Sequence, residues 1–167
     1  MKTTVTLRLL LLIFVSAFFF TACDKKGKEN EKKANEFKSF TSAKKFRIVS
    51  FYADKPVDYE ENDTEIKAET DLWLYVKEYI RDDINRVVDN GQVHIDQMAI
   101  KYTGHDEATL IRPFSISSDR TGAYLEFVDY FYDPLRYKLL EFKDNYFIIY
   151  IDFRGGARIF SRYELIP

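Results

Sequence analysis

Several short runs in this chain bring together residue types that could hold a metal or move a proton. In His94-Ile95-Asp96 the imidazole and the carboxylate fall on one face of a strand, within reach of a shared ion or a proton relay. Two ligands do not complete a metal site, and a structural or exposed histidine is the simpler reading. His105-Asp106-Glu107 has ligand types but reads as a solvated hairpin tip. Asp63, Glu65, Glu69 and Asp71 offer the oxygens calcium takes, without the spacing or central glycine of an EF-hand loop, so a solvated acidic loop is expected. Ser115, Ser117 and Ser118 stand near Asp119, but no Gly-x-Ser-x-Gly elbow surrounds them. Gly155-Gly156 joins two strands and opens no helix, so it is not a phosphate cradle. No catalytic residue, metal site or cofactor is assigned. The chain reads as a non-enzyme, with a hydrolase as the remaining catalytic alternative.

Tyrosines are the more suggestive set. Tyr124, Tyr130, Tyr132, Tyr137, Tyr146 and Tyr150 fall on consecutive expected strands. Tyrosine joins an apolar body to a polar tip, which suits a surface that grips a peptide, a glycan or an apolar ligand. The plainer alternative is cross-strand aromatic pairing that stabilises a sheet.

The elements that must position these residues follow from periodicity. Lys45–Ala53 is β-branched and aromatic and predicts a first strand. Asp54–Glu69, acidic and holding Pro56, predicts an exposed connection. Across Asp71–Asp89, Leu72, Val76, Ile80, Ile84, Val87 and Val88 recur at helical spacing, predicting an amphipathic helix that Asn90-Gly91 would stop. From Gln92 onward only strand patterns appear. Val93 and Ile95 share one phase, and Met98, Ile100 and Tyr102 take the other after an expected bulge at Asp96-Gln97. Leu110, Arg112, Phe114 and Ile116 share a face. Strands then follow at Ala123–Tyr132, Leu135–Phe142, Tyr146–Phe153 and Ala157–Leu165, separated by Asp133-Pro134, Asp144-Asn145 and Gly155-Gly156. Connections this short make neighbours antiparallel, and a meander of this length hides its edges by curling. The expected fold is mostly β (α+β being the alternative): one strand, one helix, then an antiparallel meander forming a small barrel or half-barrel.

Ahead of the domain, Lys2 and Arg8 precede the apolar stretch Leu9–Phe20, and Thr21-Ala22 lead into Cys23, the chain's single cysteine. A charged start, a short apolar middle and a small-residue exit make a secretory signal. These twelve residues, apolar but for Ser16, are fewer than the ~20 that cross ~30 Å of hydrocarbon, so a permanent span is the weaker reading. Thr21-Ala22-Cys23 resembles the lipobox of bacterial lipoproteins. The resemblance implies removal of residues 1–22 and acylation of Cys23, with cleavage to a soluble protein or an uncleaved anchor as alternatives. The implied address is the bacterial cell envelope, on the inner or the outer membrane. Residues 23–42 start with a lysine-rich run that lacks large apolar residues through Glu36 and reads as a flexible tether of ~20 Å reach. Residues 43–167 are read as the single globular domain.

Composition narrows the partners. Without residues 1–22, which hold two of the 25 basic residues and no acid, the chain carries 23 basic against 27 acidic residues. That balance argues against nucleic acid, whose partners need a concentrated basic face. A lone cysteine rules out an internal disulfide, so packing alone holds the domain.

Phe114–Leu165 resembles the C-terminal part of small lipocalin-like lipoproteins of the Bacteroidetes type. The residues that carry the likeness are Asp119-Arg120-Thr121-Gly122, Tyr137-Lys138-Leu139, Asp144-Asn145, and Gly155-Gly156-Ala157-Arg158 through Arg162-Tyr163-Glu164-Leu165. Lys44-Lys45-Phe46-Arg47 stands where that family has Gly-x-Trp. The resemblance implies a membrane-tethered binding module for a small apolar or amphipathic ligand. The alternative is a protein-interaction subunit in envelope assembly.

Overall fold

In the computed structural model, described over residues 25–59, 69–88, 91–102, 107–128 and 133–167, the first strand closes onto the last. β1 (Lys45–Val57) pairs antiparallel with β9 (Ala157–Ile166), setting Lys45 opposite Ile166 and Ala53 opposite Ile159. Between them run β2 (Glu69–Asp71), β3 (Ile84–Val88), β4 (Gln92–Asp96) and β5 (Thr109–Asp119). β6 (Gly122–Val128), β7 (Pro134–Lys143) and β8 (Tyr146–Phe153) complete the set. The hydrogen-bonded order runs from β1 through β3 and on to β9, and every pairing is antiparallel. Eight strands therefore form a closed barrel, and β2 is a short flap on β1. The fold is mostly β, and closure leaves no long sheet edge for another chain to pair with.

Alternation decides what fills it. Phe147 and Ile149 on β8, Leu110 and Phe114 on β5, and Leu125 on β6 point inward and form the main core. Their neighbours Ile111 and Ser115 point out, as period two demands. β8 is apolar on both faces because its outer residues Ile148 and Tyr150 pack with Phe160 and Tyr52 outside the barrel.

The barrel has two ends with different closures. At the base, where β1 begins and β9 finishes, lies helix α1 (25–41). Lysine, glutamate and alanine favour helix, and Ala34, Phe37, Phe40 and Thr41 put a buried or half-buried stripe on one side. Phe37 is fully buried against Phe142 and Phe147, with ring centroids 5.4 and 5.2 Å away. Lys33 Nζ donates to the carbonyls of Leu139 and Leu140, at 3.0 and 2.7 Å, and Asn30 Nδ2 donates to that of Asp119 at 2.8 Å. These residues are thus a plug docked on the barrel, where the sequence reading has a flexible tether. The apolar stripe begins only at Ala34 and runs past the lysine-rich stretch, so neither half shows it alone. Residues 1–24, with the expected export signal and Cys23, lie outside the described set.

The segment expected as an amphipathic helix, Asp71–Asp89, is broken. It is not one helix. Trp73–Tyr75 form a single 3-10 turn, α2 (Glu78–Asp82) is one short helix, and Ile84–Val88 are strand β3. The β-branched residues Ile84, Val87 and Val88 favour a strand, and pairing with β4 (Val87 opposite Val93) overrides the helical spacing. This strand supplies the eighth member the barrel needs. Met98, Ile100 and Tyr102 likewise fall outside any strand. The chain there folds around Gln97, whose Nε2 donates to the Glu107 carbonyl and whose Oε1 accepts from the Tyr102 N–H, both at 2.8 Å.

At the mouth, the segment from Leu72 to Asp82 lies over the barrel as a cover. Leu72 is fully buried with Ala53, Val57, Ala157 and Ile159. Arg81 holds the turn together, its Nε donating to the Val76 carbonyl at 2.7 Å and its Nη2 to that of Trp73 at 2.8 Å. Asp82 Oδ2 accepts from the N–H groups of Ala99 and Ile100, at 2.9 and 3.0 Å, tying α2 to the loop beyond β4.

Candidate functional site

Between the plugged base and the cover, the barrel interior holds a cavity of about 280 Å³. Inward residues of the strands make its wall: Ile48 and Phe51 of β1, Val93 of β4, Phe114 of β5 and Phe127 of β6. Tyr75, Tyr79 and Ile80 close it from the cover side. Tyr59 fixes that cover by packing edge-on to Phe51, centroids 5.5 Å apart, and against Tyr75 at 5.3 Å. Burial pushes the Tyr59 hydroxyl above its ordinary pKa, so it stays neutral.

One side of the wall is polar. Asp83 and Asn85 continue the inward phase of Val87, and Ser161 lies between Ile159 and Tyr163 on the inward phase of β9. Asp83 is 1% exposed and Ser161 4%. Register places Phe51 opposite Ser161, Ile48 opposite Tyr163, and Phe46 opposite Asn85, so these groups flank β1 in adjoining rows. Tyr163 also lines the cavity. Burial pushes its hydroxyl up to about 12, so it stays protonated across the neutral range and can donate as well as accept.

The tyrosines singled out from the sequence do not share one face. Tyr137 points inward, stacks on Phe127 with centroids 5.4 Å apart, and lines the cavity. Tyr124 points outward beneath the Arg136 guanidinium, 3.7 Å from its ring centroid. Tyr146 and Tyr150 also point outward, in the cluster with Ile148 and Phe160. Arg162 lies over Tyr146 at 4.4 Å and Arg158 over Tyr150 at 5.3 Å, so basic stems cover much of that patch. Tyr130 and Tyr132 lie outside the described residues.

The other candidates sort as follows. His94 and Asp96 share the outward face of β4, where Asp96 Oδ1 accepts from the Thr109 hydroxyl at 2.8 Å. His105, Asp106, Asp63 and Glu65 lie outside the described residues, and among those described no three His, Cys, Asp or Glu side chains cluster as metal ligands. Ser115 and Ser117 donate to Glu126 at 3.1 and 2.9 Å. Arg136 joins Glu126 to Asp119, at 2.9 Å from each. Hydrogen bonds from Thr121, and then from Arg136, hold the Asp119 carboxyl well below the usual carboxylate range. This exterior network ties β5, β6 and β7 together and presents no activated nucleophile.

Asp83, Asn85, Ser161 and Tyr163 escape the sequence reading because their strands meet only on closure. One local sign exists: Ser161 interrupts an inward phase that is otherwise Ala157, Ile159, Tyr163 and Leu165. Comparison with known proteins finds no matching family model, no matching curated protein and no matching solved structure.

Proposed function

We propose that this protein is a membrane-tethered, lipocalin-like envelope lipoprotein whose barrel holds one small apolar or amphipathic molecule without transforming it. The observation that carries the reading is the cavity. Its volume of about 280 Å³ lies just below the ~300–1,000 Å³ typical of ligand pockets. At the ~30 Å³ a water-sized group occupies, that is room for about nine heavy atoms. Mostly apolar walls with a few converging polar groups are the usual make-up of such a site. The outer aromatic cluster supports a protein partner less well, because Ile148, Tyr150 and Phe160 are already covered by their neighbours.

The membrane part rests on Cys23. Acyl chains there would sit within two residues of the described start of α1, so the plugged base faces the bilayer and the mouth points away. Native mass spectrometry of the full chain, extracted from its own membranes, tests the binding part. A retained mass of small-molecule size is expected, and it should vanish in Ser161→Phe, whose ring fills the cavity. A bare protein mass from every preparation would sink the proposal.

A further inference from the structure

The polar side of the cavity narrows the ligand, an inference that rests on the binding reading above. Two charged side chains are buried on inward phases, Asp83 before β3 and Arg112 on β5. Both already have interaction partners, and only Asp83 borders the cavity. The neutral polar groups differ. Ser161, Tyr163 and Asn85 line the cavity, and no hydrogen bond joins these side chains to another described residue. Ser161 is buried, and it lies two residues from Tyr163 on the inward phase of β9. Two polar groups set that close in an aromatic-walled space reward a ligand that meets them.

We infer that the cavity takes a small molecule with an aromatic or short aliphatic body and an uncharged head that both donates and accepts hydrogen bonds, an alcohol or a primary amide, set against Ser161 and Tyr163. A hydroxyl can donate to Ser161 while accepting from Tyr163, and an amide offers the same two contacts through its N–H and its carbonyl. An ionic head gains less. It would leave water for a low-dielectric space whose one bordering charge, Asp83, already has a partner. A hydrocarbon without a head leaves both hydroxyls unmet. Sites built to hydrogen-bond a substrate reject analogues lacking the group for that reason.

The test is isothermal titration of the full chain in lipid nanodiscs, with empty nanodiscs subtracted. The probes are benzamide, benzoate, benzylamine and toluene. The amide is expected to bind at least roughly tenfold tighter than each of the others. Ser161→Ala and Tyr163→Phe should each weaken the amide several-fold and leave toluene unchanged, a split that a merely structural role would not produce. Toluene or either ion binding as tightly as the amide overturns the inference and leaves the binding reading standing. If none of the four binds while a native mass is still retained, this inference alone falls. If no mass is retained either, both fall.

Discussion

The Tyr163 ring lies flat on Phe147, with centroids 4.9 Å apart and planes 9° from parallel. This pair is the partition between the filled base of the barrel and the cavity above it. Phe147 is fully buried, with Phe37 of the plug and Phe46 of β1 edge-on at 5.2 and 5.1 Å. The plug and the cavity therefore share one wall.

Removing that wall should be costly. Phe147→Ala is expected to lower stability by about 3–5 kcal/mol, because the ring's contacts go and the plug keeps the space from collapsing. Phe147→Leu should cost about 1–2 kcal/mol. Urea unfolding of the two variants checks the order. Equal, small losses would mean that the base is not close-packed.

Tyr163 links stability to alkaline pH. Its folded pKa is raised above the ordinary 10.0 to about 12, so the folded state holds this proton more tightly than the unfolded one. The associated stability is fully present below pH 10 and is lost as pH rises from about 10 to about 12. Tyr163→Phe should flatten the loss over that window relative to the parent. Tyrosinate absorbance should show one group in the parent ionising late and missing from the variant.

Phe37 tests whether α1 is a plug or a passenger. Phe37→Ala is expected to cost about 3–5 kcal/mol of buried packing. Hydrogen exchange in residues 30–41 should lose protection before the strands do. Unchanged exchange there would contradict the docking.

The end of α1 offers a stabilising change. Ala43 has φ of +57°, a left-handed conformation that glycine adopts without a Cβ penalty. It sits where Ser42 N–H returns to the Lys38 carbonyl at 3.1 Å and closes the helix. Ala43→Gly should raise stability by about 0.5–1 kcal/mol, read as a higher urea midpoint.

The C-terminal half was legible because each strand carries its own alternation. Leu110, Arg112 and Phe114 share the inward phase, as do Phe147, Ile149 and Ile151, and both patterns are visible before any pairing is known. The middle was not, since Asn90-Gly91 ends a helix or turns a hairpin equally well, and only pairing between Val87 and Val93 decides between them. The α1 stripe was hidden by its position, spread from Ala34 to Thr41 behind a stretch of lysine and glutamate. For the candidate site the reason is geometric. Asn85 and Ser161 are far apart in sequence and come to line one cavity only because β3 and β9 both pair with β1, which no local pattern can announce.

Closure between β1 and β9 also fixes the order in which this chain can be finished. β1 has eight paired positions with β9 but only two with β3. The opening strand thus waits for the final ten residues before it gains most of its rungs, and pairing over that separation slows folding. A chain still being synthesised stays unsealed until β9 is made. Losing that tail strips β1 and β8 together, two bare edges that invite pairing with another copy.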